Sequence, residues 1–168
     1  SSIGFTRLDV ATAFHSPVVA GSVEPFQAFL NDVDFSESNI PVWSGEAVAP
    51  YAAESAQKIE RLSSQIAGPV RFVDLVRSMV ESGIHTFIEV GPGSVLTGLI
   101  GQTLKGTEHR AIALDRKSQN GVVTLSRALA QLVAAGVELN LNALWEGYGE
   151  PLDVASLPSP RLAVPICG

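Results

Sequence analysis

The sequence predicts an α/β fold with a parallel sheet, because helical and strand patterns alternate along residues 41–136. The segment 86–90 is rich in β-branched and aromatic residues and is bounded by turns, which is typical of a buried strand. A second short strand pattern covers 111–114, and helical patterns lie on both sides of each strand. Hydrophobic residues make up 46% of the 168 residues, so the chain can form one ordinary core.

The chain opens with a strand pattern followed by a helical one. Apolar, β-prone residues favour a strand over 5–14, and Pro17 suits the first turn of a helix that extends to Leu30. Apolar residues recur in this helix at helical spacing and form a single stripe: Val19, Val23, Phe26 and Leu30. We therefore predict a strand-to-helix junction at residues 12–17.

A second strand and a second helix follow. We expect a short apolar strand over 40–43, closed by Ser44 and Gly45. The pattern over 49–64 indicates one or two helical turns followed by a helix. That helix carries apolar residues on one face: Ile59, Leu62 and Ile66.

Turn signals delimit the remaining elements. Gly68-Pro69 separates the second helix from a third over 72–81, which Ser82-Gly83 ends as a C-cap. The tight turn 91–94 leads from the strand 86–90 into a helix over 95–104. A long helix over 120–135 contains these apolar residues: Val123, Leu125, Leu129, Leu132 and Val133.

Composition excludes several classes of function. The net charge is −6, without a basic cluster, which argues against nucleic acid as a partner. A single cysteine, Cys167, excludes an intramolecular disulfide and a cysteine-based metal cage. No apolar run reaches the roughly 18 residues that a bilayer span requires, and no signal peptide pattern opens the chain. We therefore predict a soluble, cytoplasmic protein without membrane contact, and the opening Ser1-Ser2 suggests a fragment of a longer protein.

Candidate chemistry is concentrated at the junction 12–17. His15 lies there between strand and helix, where a general base is often placed, although a structural or solvated histidine is the open alternative. Gly91-Pro92-Gly93 lacks the third glycine of a dinucleotide loop, so we interpret it as a structural turn. No Gly-x-Ser-x-Gly elbow and no histidine pair at metal-binding spacing occurs, so we predict no metal site. Arg71 could bind a carboxylate but is interpreted as a surface residue.

Three segments together resemble the malonyl-CoA:acyl-carrier-protein acyltransferases of fatty acid and polyketide synthases. They are AFHSP at 13–17, QIAGPVRF at 65–72 and FIEVGPGSVLTGL at 87–99, of which the last is the most specific. Their order and spacing fit the family, and the resemblance covers residues 7 to about 135. It implies the C-terminal part of such a domain in a multidomain polyketide or polyunsaturated fatty acid synthase.

The resemblance also implies a division into domains. The family has an α/β-hydrolase-like core with a ferredoxin-like subdomain inserted just before the histidine. Residues 1–12 would then hold the last strand of that insert, 13–136 the C-terminal part of the core, and 137–168 the extended linker that follows the acyltransferase. Four prolines between 149 and 168 agree with an extended tail.

By resemblance, His15 is the general base of a Ser-His ping-pong mechanism, and the backbone carbonyl of Gln65 orients its ring. A carbonyl that accepts from one imidazole nitrogen leaves the other free to accept the serine proton. Phe14 would favour malonyl over methylmalonyl by narrowing the space beside the acyl α-carbon. The implied substrate is malonyl-CoA, with no tightly bound cofactor.

The family's serine elbow, oxyanion-hole glutamine and carboxylate-binding arginine are expected upstream of residue 1. We therefore expect the isolated chain to be inactive, since loss of one such part costs several orders of magnitude. The implied partners are an acyl carrier protein, the N-terminal half of the same domain, and a neighbouring ketosynthase or linker. The alternative is a non-catalytic docking module, motivated by the apolar residues around Trp145 and Tyr148.

Overall fold

A computed structural model describes residues 10–149 and 153–156. The chain divides into two compact units, residues 1–131 and 132–168. The helices and strands of the described residues are as follows: α1 (Val23–Asn31), β1 (Trp43–Ser44), β2 (Ala49–Pro50), α2 (Ser55–Ser64), α3 (Phe72–Glu81), β3 (Thr86–Glu89), α4 (Val95–Thr103), β4 (Arg110–Ala113) and α5 (Gly121–Ala134). Short 3-10 helices cover Pro17–Ser22, Leu141–Trp145 and Val154–Ser156.

The helix predicted over 17–30 is present as a 3-10 helix followed by α1. Ser16 caps it, because its hydroxyl accepts a hydrogen bond from the N–H of Val18 at 3.3 Å, and Pro17 occupies the first turn. The predicted stripe is confirmed: Leu30 is buried and its three partners are half-buried. α1 packs against α2, whose Ile59 is buried.

The strand predictions for the first half of the chain were largely wrong. Residues 10–14 form no strand, and residues 1–9 lie outside the described part of the chain. The strand expected over 40–43 begins only at Trp43, and Ser44 belongs to it. Ala49 and Pro50, expected in a helical turn, pair with it as an antiparallel strand. The result is a β-hairpin, residues 43–50, that the sequence did not predict.

The α/β prediction is confirmed by the second half of the first unit. β3 and β4 form a parallel pair in which Thr86 lies opposite Arg110 and Glu89 opposite Ala113. α3 and α4 pack against each other, and α4 also contacts both strands. Val76, Ile100 and Leu104 form the buried centre, surrounded by half-buried apolar residues: Phe72, Val80, Phe87 and Ala111. α3 has the bounds that the sequence predicted, and Gly83 adopts the left-handed conformation of a C-cap at φ +90°.

The structure corrects the predicted burial of β3 and shows which face of α5 is buried. β3 is buried on one side only: Phe87 packs into the core, whereas Ile88 is 46% exposed, because successive strand residues point to opposite faces. In α5 the buried residues recur every fourth position, at Thr124, Ala128 and Leu132, whereas Val123 is exposed. The Thr124 hydroxyl donates to the carbonyls of Asn120 and Gly121, so its burial leaves no hydrogen bond unmade.

The second unit contains the 3-10 helix Leu141–Trp145. The ring of Trp145 contacts the ring of Tyr148 edge-on, with 6.1 Å between the ring centroids. Residues 150–152 and 157–168 of the predicted linker lie outside the described residues. The domain boundaries predicted from the sequence therefore stay predictions. Among the described residues, no helix combines the length and apolar character that crossing a membrane requires.

Candidate active site

His15 lies at the entry to the first helical stretch, one residue before the Ser16 cap. Its backbone has φ +57°, a left-handed conformation that few residues other than glycine adopt, although histidine does so more often than most. Ser16 links the residues that precede His15 to the start of the helix, because its hydroxyl donates to the carbonyl of Ala13 at 2.6 Å. The Ser16 cap thus supports the left-handed conformation of His15. Backbone strain of this kind is concentrated at functional sites.

The C-terminal end of α2 holds His15 through two hydrogen bonds. Nδ1 of the ring donates to the carbonyl oxygen of Gln65 at 2.9 Å. The backbone N–H of His15 donates to the carbonyl of Ile66, also at 2.9 Å. A helix end leaves carbonyls without partners inside the helix, and His15 supplies partners for two carbonyls that follow α2.

This geometry fixes which ring nitrogen carries the proton. A carbonyl oxygen can only accept, so Nδ1 must be protonated, and in the neutral ring Nε2 then holds the lone pair. No hydrogen bond to Nε2 occurs within the described residues, and the His15 side chain is exposed. An imidazole held at one nitrogen and open at the other is equipped to accept a proton from a hydroxyl or thiol.

The structure therefore brings His15 and Gln65 together across fifty positions of sequence. Phe14, the third predicted site residue, directly precedes His15, and its side chain is 63% exposed. A groove of about 610 Å³ adjoins this site, and both Tyr51 and Gln65 contribute to its wall. The roles assigned to these residues stay predictions.

The sequence did not indicate that the β1–β2 hairpin contacts the same site. Residues 65–68, here called the carbonyl turn, follow α2 and carry the two carbonyls that bind His15. The Tyr51 hydroxyl donates to Oε1 of Gln65 at 3.0 Å. The Ser64 hydroxyl donates to Oε2 of Glu46 at 3.0 Å. These contacts span 14 and 18 positions, so no local pattern could have revealed them.

The Gly91–Gly93 loop does not present an open anion site. The Gly93 N–H donates to Asp115 at 2.9 Å. The N–H groups of Leu96 and Thr97, and the Thr97 hydroxyl, all donate to the Glu89 carboxylate. Protein carboxylates thus occupy the amides that would hold a phosphate, which agrees with a structural turn.

Burial raises the pKa of the Glu89 carboxyl, but hydrogen bonds from Thr97, Leu96 and Val95 outweigh this and lower the pKa below its ordinary value.

Arg71 forms a half-exposed ion pair with Asp74 at 3.0 Å, as expected of a surface arginine. Across residues 10–149 and 153–156, no cluster of three or more metal-ligating side chains is present.

Comparison with known proteins gives a consistent result. A PKS-NRPS hybrid synthetase of Aspergillus candidus is 30% identical over 161 residues, which are 93% of this chain and 6% of the synthetase. A malonyl CoA-acyl carrier protein transacylase for polyketide biosynthesis in Bacillus velezensis is 38% identical over 104 residues, which are 62% of this chain and 35% of the transacylase. No protein-family model matches the chain.

A solved acyltransferase domain has the same fold. It comes from the second module of the salinomycin polyketide synthase and superimposes with a TM-score of 0.70 at 26% identity, over 86% of this chain and 35% of that domain. The chain therefore spans about a third of the transacylase and of the domain that it matches. By sequence and by fold, the chain belongs to the acyltransferases that include the acyltransferase domains of polyketide synthases and the malonyl-CoA–acyl carrier protein transacylases.

Proposed function

We propose that this chain is part of an acyltransferase that moves a malonyl group from coenzyme A to the phosphopantetheine thiol of an acyl carrier protein. His15 is the general base of the reaction, and the nucleophile is a serine outside these 168 residues. The observation that carries the proposal is the hydrogen bond from Nδ1 of His15 to the Gln65 carbonyl, because it leaves Nε2 as the proton acceptor. The cytoplasmic location stays a prediction.

In the first half-reaction, Nε2 of His15 takes the serine hydroxyl proton while the serine oxygen attacks the thioester carbonyl of malonyl-CoA. The tetrahedral intermediate collapses, the carbon–sulfur bond breaks, and the coenzyme A thiolate takes the proton from Nε2. The second half-reaction runs the same sequence in reverse with the carrier-protein thiol. That thiol gives its proton to Nε2 and attacks the acyl-serine, and the serine oxygen leaves with the proton.

The Gln65 carbonyl is suited to orienting the ring of a general base. It holds the ring in one orientation and one tautomer, which is the function that a carboxylate has in a serine-histidine-aspartate triad. A neutral carbonyl orients the ring without adding a second negative charge near the malonyl carboxylate, which would repel the substrate. Like-charge repulsion of that kind would weaken binding of the ionised extender unit.

The experiment measures acyl-enzyme formation in the full acyltransferase that contains this chain. Rapid quenching after addition of malonyl-CoA, followed by intact-protein mass spectrometry, gives the rate at which the malonyl adduct appears. His15→Ala should lower that rate by about 10²–10⁴-fold, the usual contribution of a general base. His85→Ala, at another exposed histidine, is the matched control and should acylate normally.

An unchanged rate in His15→Ala would refute the role of His15. We also infer that the 168 residues alone do not transfer malonyl, because no serine hydroxyl within the described residues bonds to the His15 ring. Malonyl transfer by the purified chain alone would refute that inference.

Phe14 is proposed to favour malonyl as the extender unit. Its ring directly precedes His15 and is available to line the acyl site. Phe14→Ser should raise the ratio of methylmalonyl to malonyl adducts in a competition assay by about 10-fold or more, since one methyl group is worth about 1–3 kcal/mol in a pocket. An unchanged ratio would remove Phe14 from the specificity determinants.

A second candidate function is that of a non-catalytic docking module. In the second unit, Trp145 is 67% exposed and Tyr148 is 74% exposed, and the two rings form one aromatic surface. Aromatic side chains dominate many interface energies. Binding of the chain to a ketosynthase or carrier domain that is lost in Trp145→Ala and kept in His15→Ala would favour this function.

A further inference from the structure

We propose that the β1–β2 hairpin and the residue after it hold the carbonyl turn in place, so that Tyr51 and Glu46 are positioning residues for His15. The inference rests on the proposed function, because it concerns the orientation of the proposed base. No hydrogen bond joins either residue to His15 in the described structure, and both act on the turn whose carbonyls bind it.

Tyr51 reaches the carbonyl turn from one side. Its N–H donates to the Val42 carbonyl at 2.8 Å, which extends the antiparallel pairing of the hairpin by one residue. Its backbone is therefore fixed by the hairpin, and its hydroxyl donates to the side chain of Gln65 at 3.0 Å. Gln65 is thus held at three points. Its side chain accepts from Tyr51, its N–H donates to the Arg61 carbonyl at 3.3 Å, and its carbonyl accepts from His15.

Glu46 reaches the carbonyl turn from the loop of the hairpin. Its carboxylate accepts from the Ser64 hydroxyl and lies against Gly68, where a Cβ atom would come within 2.5 Å of its Oε1. Gly68 therefore leaves the room that this close approach requires. The Gly45 carbonyl also accepts from the Arg71 N–H at 2.8 Å, so the hairpin binds the chain on both sides of the turn.

The positioning matters because the two carbonyls define where His15 lies. The Gln65 and Ile66 carbonyls fix the ring and the backbone of His15, whose own left-handed φ is unfavourable without such support. A displacement of about 1 Å at a catalytic group can cost about 100-fold in rate. A modest loosening of the turn should therefore lower the rate of acylation without changing substrate binding.

The test is a double-mutant cycle on acyl-enzyme formation in the full acyltransferase. Tyr51→Phe keeps the ring and removes only the hydroxyl, and it should lower kcat for acylation about 5- to 10-fold with KM for malonyl-CoA unchanged. Ser126→Ala is the matched control, because it also removes one hydroxyl, from an exposed residue of α5 that has no part in the proposed sites. Glu46→Ala should act in the same direction, with Glu60→Ala, at an exposed position of α2, as its control.

The His15→Ala background separates positioning from a purely structural role. If Tyr51 acts through His15, Tyr51→Phe should have no further effect on the residual rate of His15→Ala. An equal loss in both backgrounds, or no loss in the wild-type background, would overturn the inference. If His15→Ala itself leaves the rate unchanged, the proposed function fails, and that result is recognisable before Tyr51 is tested.

Discussion

Two loop-to-helix junctions of the first unit differ in which polar atoms they leave unpaired. At the junction before the first helical stretch, the His15 ring is bonded at Nδ1, and Nε2 has no hydrogen-bond partner among the described residues. At the junction before α4, carboxylates accept from the Gly93, Leu96 and Thr97 N–H groups. The first junction keeps a reactive atom available, whereas the second uses its polar groups internally.

The difference separates a junction that can perform chemistry from one that supports the fold. Both carry Pro or Gly next to a helix start, so the turn residues alone do not distinguish them. The two junctions differ in the hydrogen-bond partners of their polar groups. A helix-end carbonyl fixes His15 while its second nitrogen stays open, and the Glu89 carboxylate closes the N-terminus of α4 with three hydrogen bonds. Substitutions at the two junctions should therefore affect different properties.

The largest expected effect on stability lies at Glu89. Glu89→Ala removes three hydrogen bonds from the start of α4 and should lower the free energy of unfolding by about 1–2 kcal/mol, as loss of a helix N-cap does. Thermal unfolding should show a fall in Tm of about 2–4 °C for each kcal/mol. Glu108→Ala, at an exposed glutamate, is the control and should leave Tm unchanged. An equal Tm for Glu89→Ala and wild type would show that the carboxylate does not cap α4.

The contrast between the junctions also bears on what the sequence could predict. The bounds of α3 followed from local signals, because Gly68-Pro69 and Ser82-Gly83 mark its ends directly. The β1–β2 hairpin could not be predicted in this way. Its loop begins with Gly45, but the left-handed position at φ +60° is occupied by Val48, and β-branched residues disfavour that conformation. The residue that turns the chain back therefore gives no turn signal.

The same limit applies to the site. His15 could be singled out from its position, but its partner lies fifty residues away, and only resemblance to a family indicated Gln65. The contacts of Tyr51 and Glu46 depend on how the hairpin packs on the end of α2. Composition misjudged burial in β3, and the apolar residues of α5 did not by themselves mark its buried face, for a related reason. Exposure of Ile88 and burial of Thr124 depend on which face meets the core, and that is a property of the packed structure.

The second prediction concerns pH. The pKa of the Glu89 carboxyl is lower in the folded protein than its ordinary value, so the unfolded chain binds more protons between the two pKa values. The stability that Glu89 contributes is therefore fully present above the ordinary glutamate pKa of about 4.3 and is lost as pH falls through the folded value. The difference in unfolding free energy between wild type and Glu89→Gln should shrink from pH 7 to pH 3, as measured by urea denaturation. A difference that grows on acidification would reverse the sign of the pKa shift.

The smallest effect tests the strain at the His15 junction. The left-handed backbone at φ +57° costs an alanine more than a glycine, because glycine has no Cβ to clash with the following carbonyl. His15→Gly should therefore be more stable than His15→Ala by about 0.5–1 kcal/mol, although glycine loses more entropy on folding and would be the less stable at an ordinary position. Both variants should have equally low acylation rates, since both lack the imidazole. If alanine proves the more stable of the two, His15 is not held in a left-handed conformation, and the carbonyl turn does not impose the geometry on which its proposed role as a base depends.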